Sequence, residues 1–235
     1  MTTMYDAQLN WCAESTYGTY ASSGARSLEF NNENMAGIYD RVVSMGLRKG
    51  RMGLGERNSL PVAKGCNGGL ELHVPTKGFG APLSHAMGSV SLGSPSGGKM
   101  TQTHTIGTLV GKSSSIQVYR QFSGSTSGTT FTYTGCKVTD MELSCDVDGL
   151  LTSKFNFDGR AEATGTALVS AAYPTGQEPF VWASMAITVA GASFCATGWS
   201  LKLDNGLKTD RFKICSTTKD EPVEVKARGS AIHKA

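Results

Sequence analysis

The sequence predicts a mainly β chain, and three observations carry that prediction. Glycine supplies 29 of 235 residues and charged residues only 17%. That balance favours turns and Ser/Thr-rich strands over long solvated helices, which need more charge. Apolar and polar residues alternate with period two over long runs, above all between Gly135 and Arg160. Asp148-Gly149 and Asn205-Gly206 then punctuate such runs as hairpin turns do.

The segment from Gly135 to Arg160 is the longest in which every local signal agrees. Met141, Leu143, Cys145 and Val147 form one face before the turn, and Leu151, Phe155 and Phe157 continue it. The other face is polar: Asp140, Glu142, Ser144 and Asp146, then Thr152, Lys154, Asn156 and Asp158. A two-residue turn at Asp148-Gly149 would mix the faces, because it sets Leu143 against Lys154. A bulged connection Asp148-Gly149-Leu150 keeps them apart, with Gly149 at positive φ. The expected register is therefore Leu143 opposite Phe155 and Met141 opposite Phe157, with Glu142 opposite Asn156 and Ser144 opposite Lys154.

The chain fits one β domain over 1–235. Its first 27 residues or so read as a polar arm with spaced aromatics, ending in a short strand near Leu28 and Phe30. Residues 46–69 are glycine-rich and basic, with Arg48, Lys49, Arg51, Arg57 and Lys64 against Glu56. This reads as a long interaction loop. No aromatic is interleaved to stack on bases, which argues against nucleic-acid binding. Leu70 to Val74 is an expected strand, and Thr76 an expected cap for a helix presenting Phe79, Leu83 and Met87 on one face. Strands follow near Met100–Leu109 and Ser115–Phe122. Ser123–Thr130 reads as a turn, Ala161–Ala172 as small-residue helix or loop, and Phe180–Val189 as a strand. Asp148–Phe155 (DGLLTSKF) and Asn205–Phe212 (NGLKTDRF) share a pattern. A second hairpin is expected there, pairing Trp199 with Phe212 and carrying Lys202, Asp204, Arg211 and Lys213 on its polar face.

Several function classes are disfavoured. A net charge of +3 is too small for bulk attraction to nucleic acid or membrane. The first residues carry an acid where a signal peptide needs a basic segment, so export by that route is not expected. The six cysteines lack C-x-x-C or His spacing and read as free thiols, with no metal and no cofactor. No nucleophile elbow, P-loop or H-E-x-x-H is present. A glycoside hydrolase would have to use Asp140 and Asp158, cross-strand neighbours in the expected register. A carbohydrate-binding module would need exposed aromatics on a sheet face, and the polar face above has none.

The ordered words AESTYGTY (13–20), GLRKGR (46–51), LELHVPTKGFG (70–80), FTYTGCKVTDMELSCDVDGLL (131–151), FDGR (157–160) and DNGLKTDRF (204–212) resemble the major tail tube protein of long non-contractile-tailed bacteriophages of actinobacterial hosts. The resemblance runs from about Ala13 to about Pro222. It implies an antiparallel β-sandwich or barrel-like subunit with a flanking helix, and a structural virion protein without enzymatic activity. It implies hexameric rings stacked into a tube through which DNA leaves without specific binding. Other tail proteins, such as the tape measure and tail terminator, are the implied partners, and no membrane is. The loop carrying Leu47, Arg48, Lys49, Arg51 and Arg57 would join rings. Asp140, Glu142, Ser144, Asp146, Thr152, Lys154, Asn156, Asp158, Lys202 and Arg211 would face a weakly acidic, charge-banded lumen. One departure from the family is expected at the end: the short polar run over 223–235 stands where relatives continue, which leaves a C-terminal strand in question.

Overall fold

The computed structural model describes residues 7–44, 59–97, 100–121, 128–189, 191–226 and 228–234. In chain order the first strands are β1 (Gln8–Ala13), β2 (Arg26–Leu28), β3 (Asn32–Glu33), β4 (Ala36–Val43) and β5 (Ser59–His73). A helix, α1 (Gly80–Met87), then leads into β6 (Gly88–Leu92), β7 (Gln102–Ile106), β8 (Ser114–Gln121), β9 (Gly128–Asp146), β10 (Thr152–Gly159) and β11 (Ala161–Ala163). After a 3-10 turn at Trp182–Ser184 come β12 (Ile187–Val189), β13 (Ala192–Phe194), β14 (Gly198–Asp204), β15 (Leu207–Lys208), β16 (Val223–Glu224) and β17 (Gly229–Lys234).

The mainly β fold expected from composition is present, and β9 organises it. Its first part pairs with β8 and β11, its second with β10 and β14. One strand thus belongs to two sheets. The first sheet runs β2-β1-β8-β9, and the second β17-β14-β9-β10-β5, with β3 and β4 on the far edge of β5. Gly135, at φ +68°, marks the passage between sheets, and a Cβ there would lie 2.8 Å from the Arg160 Cβ. Glu14 holds this corner. Its carboxylate accepts from Gly135 N (2.8 Å), Gly18 N (2.8 Å), Ser113 Oγ (2.7 Å) and Ser115 Oγ (2.8 Å).

The two sheets face each other across an apolar layer. From the first come Leu9, Trp11, Ile116, Val118 and Tyr133, and from the second Leu70, Leu72, Val138, Met141, Phe155, Phe157 and Leu203. Trp11 meets Phe157 and Phe155 edge-on at 5.3 and 5.8 Å, so the sheets pack as a sandwich. Helix α1 closes one side with Phe79, Leu83 and Met87, the stripe expected from the sequence. It is shorter than expected and starts at Gly80 without a side-chain cap. Thr76 serves the loop instead, its hydroxyl accepting from Glu178 N at 3.2 Å.

His85 on α1 is 7% exposed and lies edge-on to Trp11 at 5.8 Å. Its Nδ1 is 2.9 Å from Ala81 O, and since a carbonyl only accepts, that nitrogen carries the proton. Burial lowers its pKa from the usual 6.5, against the opposite pull of the Ala81 and Ser113 carbonyls. A base depressed in the fold binds protons more readily when unfolded. Its stabilising contribution is full above about 6.5 and is lost as pH falls below that value. Urea midpoints should therefore drop between about pH 7.5 and 5.5, and His85→Phe should remove that part of the drop. An unchanged slope in the variant would show that His85 plays no part.

Several expected details differ, each for an identifiable reason. In the central hairpin, Phe155 pairs with Met141, Ser153 with Leu143, Lys154 with Glu142 and Asn156 with Asp140. The register is displaced by two residues, which preserves the faces but lengthens the connection. The cause is a third segment. Leu151 N donates to Phe180 O (2.9 Å), Trp182 N to Gly149 O (3.2 Å), and Leu150 bridges Val181. The strand ends thus pair with 180–182 rather than with each other. The left-handed turn residue is Asp148, at φ +64°, not Gly149.

Asn205-Gly206 is not a hairpin turn. Asn205 is fully buried, donating through Nδ2 to Val138 O (2.8 Å) and Ala86 O (3.1 Å) and accepting from Arg228 Nε (2.8 Å). Trp199 pairs with Cys145 and Lys234, while Phe212 lies exposed in a loop, so the two similar words have unrelated structures. The arm is a core strand from Gln8, with Trp11 buried. The second part of the expected basic loop, from Ser59 to Gly69, is β5 itself. Ala161–Ala172 begins as β11 and continues as an irregular strap, and within Phe180–Val189 a short 3-10 turn, Trp182–Ser184, precedes a strand that spans only Ile187–Val189, β12. The C-terminal residues do form a strand, β17 on the edge of β14.

Candidate functional site

The two sheets differ in what covers their outer faces. On the first, Asn10, Ser27, Gln117 and Thr132 are 2% exposed or less. The strap after β11 lies on them. Gln117 Nε2 donates to Ala167 O (2.9 Å), Val169 N donates to Gln117 Oε1 (2.8 Å), and Ala172 N donates to Ser27 Oγ (2.8 Å). This polar face is consumed internally.

The second sheet keeps its outer face open across β5, β10, β9 and β14. Directly opposed residues form rows across those strands. One row is Glu71–Lys154–Glu142–Lys202, alternating in sign. Lys154 Nζ lies 3.6 Å from Glu71 Oε2, an exposed pair of small energetic weight. The adjacent row runs from Gly69 through Asn156 and Asp140 to Asp204. Asn156 Nδ2 donates to Asp140 Oδ1 (2.8 Å) and Thr139 Oγ1 to Asp140 Oδ2 (3.1 Å). A third row, His73–Thr152–Ser144–Ser200, carries no carboxylate or ammonium group, and Asp146 stands exposed at the end of β9 beside Gly198. Glu71, Asp140, Glu142 and Asp204 thus outweigh Lys154 and Lys202. The face is acidic and banded.

Of the residues expected on this face, the structure brings together Asp140, Glu142, Ser144, Asp146, Thr152, Lys154, Asn156 and Lys202. Two stand apart. Asp158 continues the face of Asn156 but is 8% exposed, because Lys219 of the C-terminal segment lies over it and donates to its Oδ1. Opposite it on β9 is Lys137, not Asp140, so the carboxylate pair a hydrolase would need is not assembled. Arg211 sits off the sheet in that same C-terminal segment, its Nη1 donating to Glu221 O. Glu71 is the member that sequence reasoning missed, although the alternation in Leu70–Val74 placed it on the polar side.

The C-terminal segment is fastened by buried charge. Lys137 is 1% exposed, bonded to Leu109 O (2.6 Å) and Pro222 O (3.2 Å) and paired with Glu221 (2.6 Å). Burial lowers the Lys137 pKa, and the Glu221 carboxylate works against that fall. Arg228 reaches the C-terminal end of α1, where its guanidinium donates to Ala86 O and Met87 O.

At the other margin, β4 and the first part of β5 leave the sandwich as a two-stranded ribbon. Val42 pairs with Leu60, and the two side chains are 57% and 59% exposed. The expected ring-joining residues Leu47, Arg48, Lys49, Arg51 and Arg57 lie outside the described residues. Among the described residues no helix is long and apolar enough to cross a membrane, and no cluster of metal-ligand type occurs.

The molecule is thus an antiparallel sandwich with one outer face sealed, one polar face open and an apolar ribbon at its edge. The chain belongs to the phage tail tube protein family, whose model matches residues 4–230. It is a structural component of the phage tail. No curated protein matches the chain.

Proposed function

We propose that the chain forms hexameric rings that stack into a tube, with the open face of the second sheet lining the lumen through which DNA leaves. The observation that carries this reading is the run of charged and polar rows across four adjacent strands with an acidic excess. Four strands from each of six subunits give roughly twenty-four strands, which at ~4.8 Å spacing and ~40° tilt close a barrel about 48 Å across, or about 38 Å after side chains. Duplex DNA fits that opening. A wall with more carboxylates than ammonium groups repels phosphates and lets the cargo slide. The basic residues Arg48, Lys49, Arg51 and Arg57, with Leu47, belong to the contact between rings. The tape measure and tail terminator are partners at the lumen and the tube end.

Electron microscopy of the purified protein should show rings or tubes. In them, a cysteine at Asn156 should react with a small maleimide and be shielded from a large polymer-linked one. Equal reaction with both would place this face outside. Asp140→Lys with Glu142→Lys should leave assembly intact and make tubes retain DNA in a salt-dependent manner. Charge-reversed tubes that release DNA as freely as the original would show that the face does not meet it.

A further inference from the structure

Where β9 ends and β14 begins, a cavity of about 420 Å³ opens beside the second sheet. Trp182, Met185 and Ile187 line it from the segment that leads into β12, and Val147 and Trp199 line it from the sheet end. Its volume falls in the range of small-ligand sites. The groups that could recognise a ligand there are unspent. Trp182 is 44% exposed, and neither its indole nor that of Trp199 stacks on another ring or a cation among the described residues. Asp146 also belongs to the lining, and among the described residues its carboxylate takes no hydrogen bond and no ion pair. Room for that carboxylate comes from Gly198, where a Cβ would collide with Asp146 Oδ1.

We propose that this cavity binds an organic cation, a quaternary ammonium group seated against the indoles of Trp182 and Trp199 with its charge answered by Asp146. An indole face is electron-rich and attracts a cation, most strongly where water is excluded. A quaternary ammonium is weakly hydrated and loses little on entering an apolar recess, whereas a primary ammonium would bring N–H donors to walls that offer few acceptors. A neutral aromatic guest would use the indoles but leave the carboxylate against apolar surface without a partner. An anion would be repelled by that same carboxylate. Among the described residues no lysine, arginine or histidine lines the cavity, so no cation of the chain itself takes the place. Every recognition group comes from one chain, and binding is therefore independent of assembly.

Saturation-transfer NMR on the full chain reads the binding of choline whether the subunits are dispersed or assembled. Saturation should reach the choline methyl protons, and 3,3-dimethylbutanol, the uncharged isostere of choline, should bind about tenfold more weakly. Trp182→Phe should keep the affinity within about threefold, while Trp182→Leu, which retains apolar bulk but no π face, should lose about tenfold. Trp199→Leu should lose a similar factor and serves where Trp182→Leu disturbs the fold, as read by near-UV circular dichroism. Asp146→Asn should weaken choline severalfold and remove the salt dependence of its binding. A peptide carrying trimethyllysine that binds more tightly than choline would make the cation a side chain of a polypeptide, and the reverse order would make it a free amine; either order supports the site. Equal affinity for choline and dimethylbutanol, equal affinity in the phenylalanine and leucine variants, or no saturation of choline would overturn it.

Discussion

Glu14→Ala should lower stability by on the order of 4 kcal/mol, because four donors lose their acceptor at once. The carboxylate is 6% exposed and takes two backbone amides and two serine hydroxyls, one of the amides from Gly135 where β9 changes sheets. Stranding those donors in a buried corner costs more than removing an ordinary hydrogen bond. In a chain of this size the loss should lower the melting temperature by roughly 10 °C. Glu14→Gln keeps the shape but turns an amide group towards N–H and O–H donors, so it should recover only about half. Thermal denaturation of both variants is the measurement. An alanine variant within about 1 kcal/mol of the original would show that water replaces the carboxylate and that the corner is not pinned by it.

That corner shows what the sequence made legible. The family-like words AESTYGTY, TGCKVTD and FDGR stand far apart in the chain, yet Glu14, Tyr17, Gly135 and Arg160 meet at one point. Arg160 donates to Tyr17 O (3.3 Å) and its guanidinium lies 5.9 Å from the Tyr17 ring. The words mark a structural joint rather than a reactive site. No local pattern foretells it, because each residue there is explained by a partner more than a hundred positions away.

Period two was enough to assign Met141, Phe155 and Phe157 inward and Asp140, Glu142, Lys154 and Asn156 outward, since a displacement of two leaves faces unchanged. The register itself was not legible, because it depends on the 180–182 segment capturing the strand ends. Asn205-Gly206 misled for a similar reason. As a dipeptide it has the chemistry of a turn, but the buried amide finds Ala86 O, Val138 O and Arg228, and that tertiary latch overrides local preference. Asp158 and Arg211 failed to join the open face because the segment after Leu207 folds back over the sheet, a placement that strand alternation does not encode.

That fold-back supplies the other large effect. Lys219→Met should destabilise the chain by about 3–5 kcal/mol, since it removes the cation paired with a buried carboxylate. Asp158 has one oxygen bound by Lys219, and the other, Oδ2, has no donor among the described residues. Burial raises its pKa above the usual 3.8, and Lys219 pulls it partly back. A carboxyl raised in the fold holds its proton more tightly than the unfolded chain does. Its contribution therefore falls as pH rises from the ordinary carboxylate range through the raised value. Without Lys219 the rise should be larger, so Lys219→Met should lie nearest the original protein at about pH 4.5 and fall furthest below it at about pH 7.5. Adding Asp158→Asn should recover most of the loss, because the variant then buries no lone charge. Urea midpoints of the two single variants and the double variant, at both pH values, decide the matter. A Lys219→Met deficit that is equal at the two pH values would mean that the lysine stabilises by packing its stem over β10 and not by neutralising Asp158.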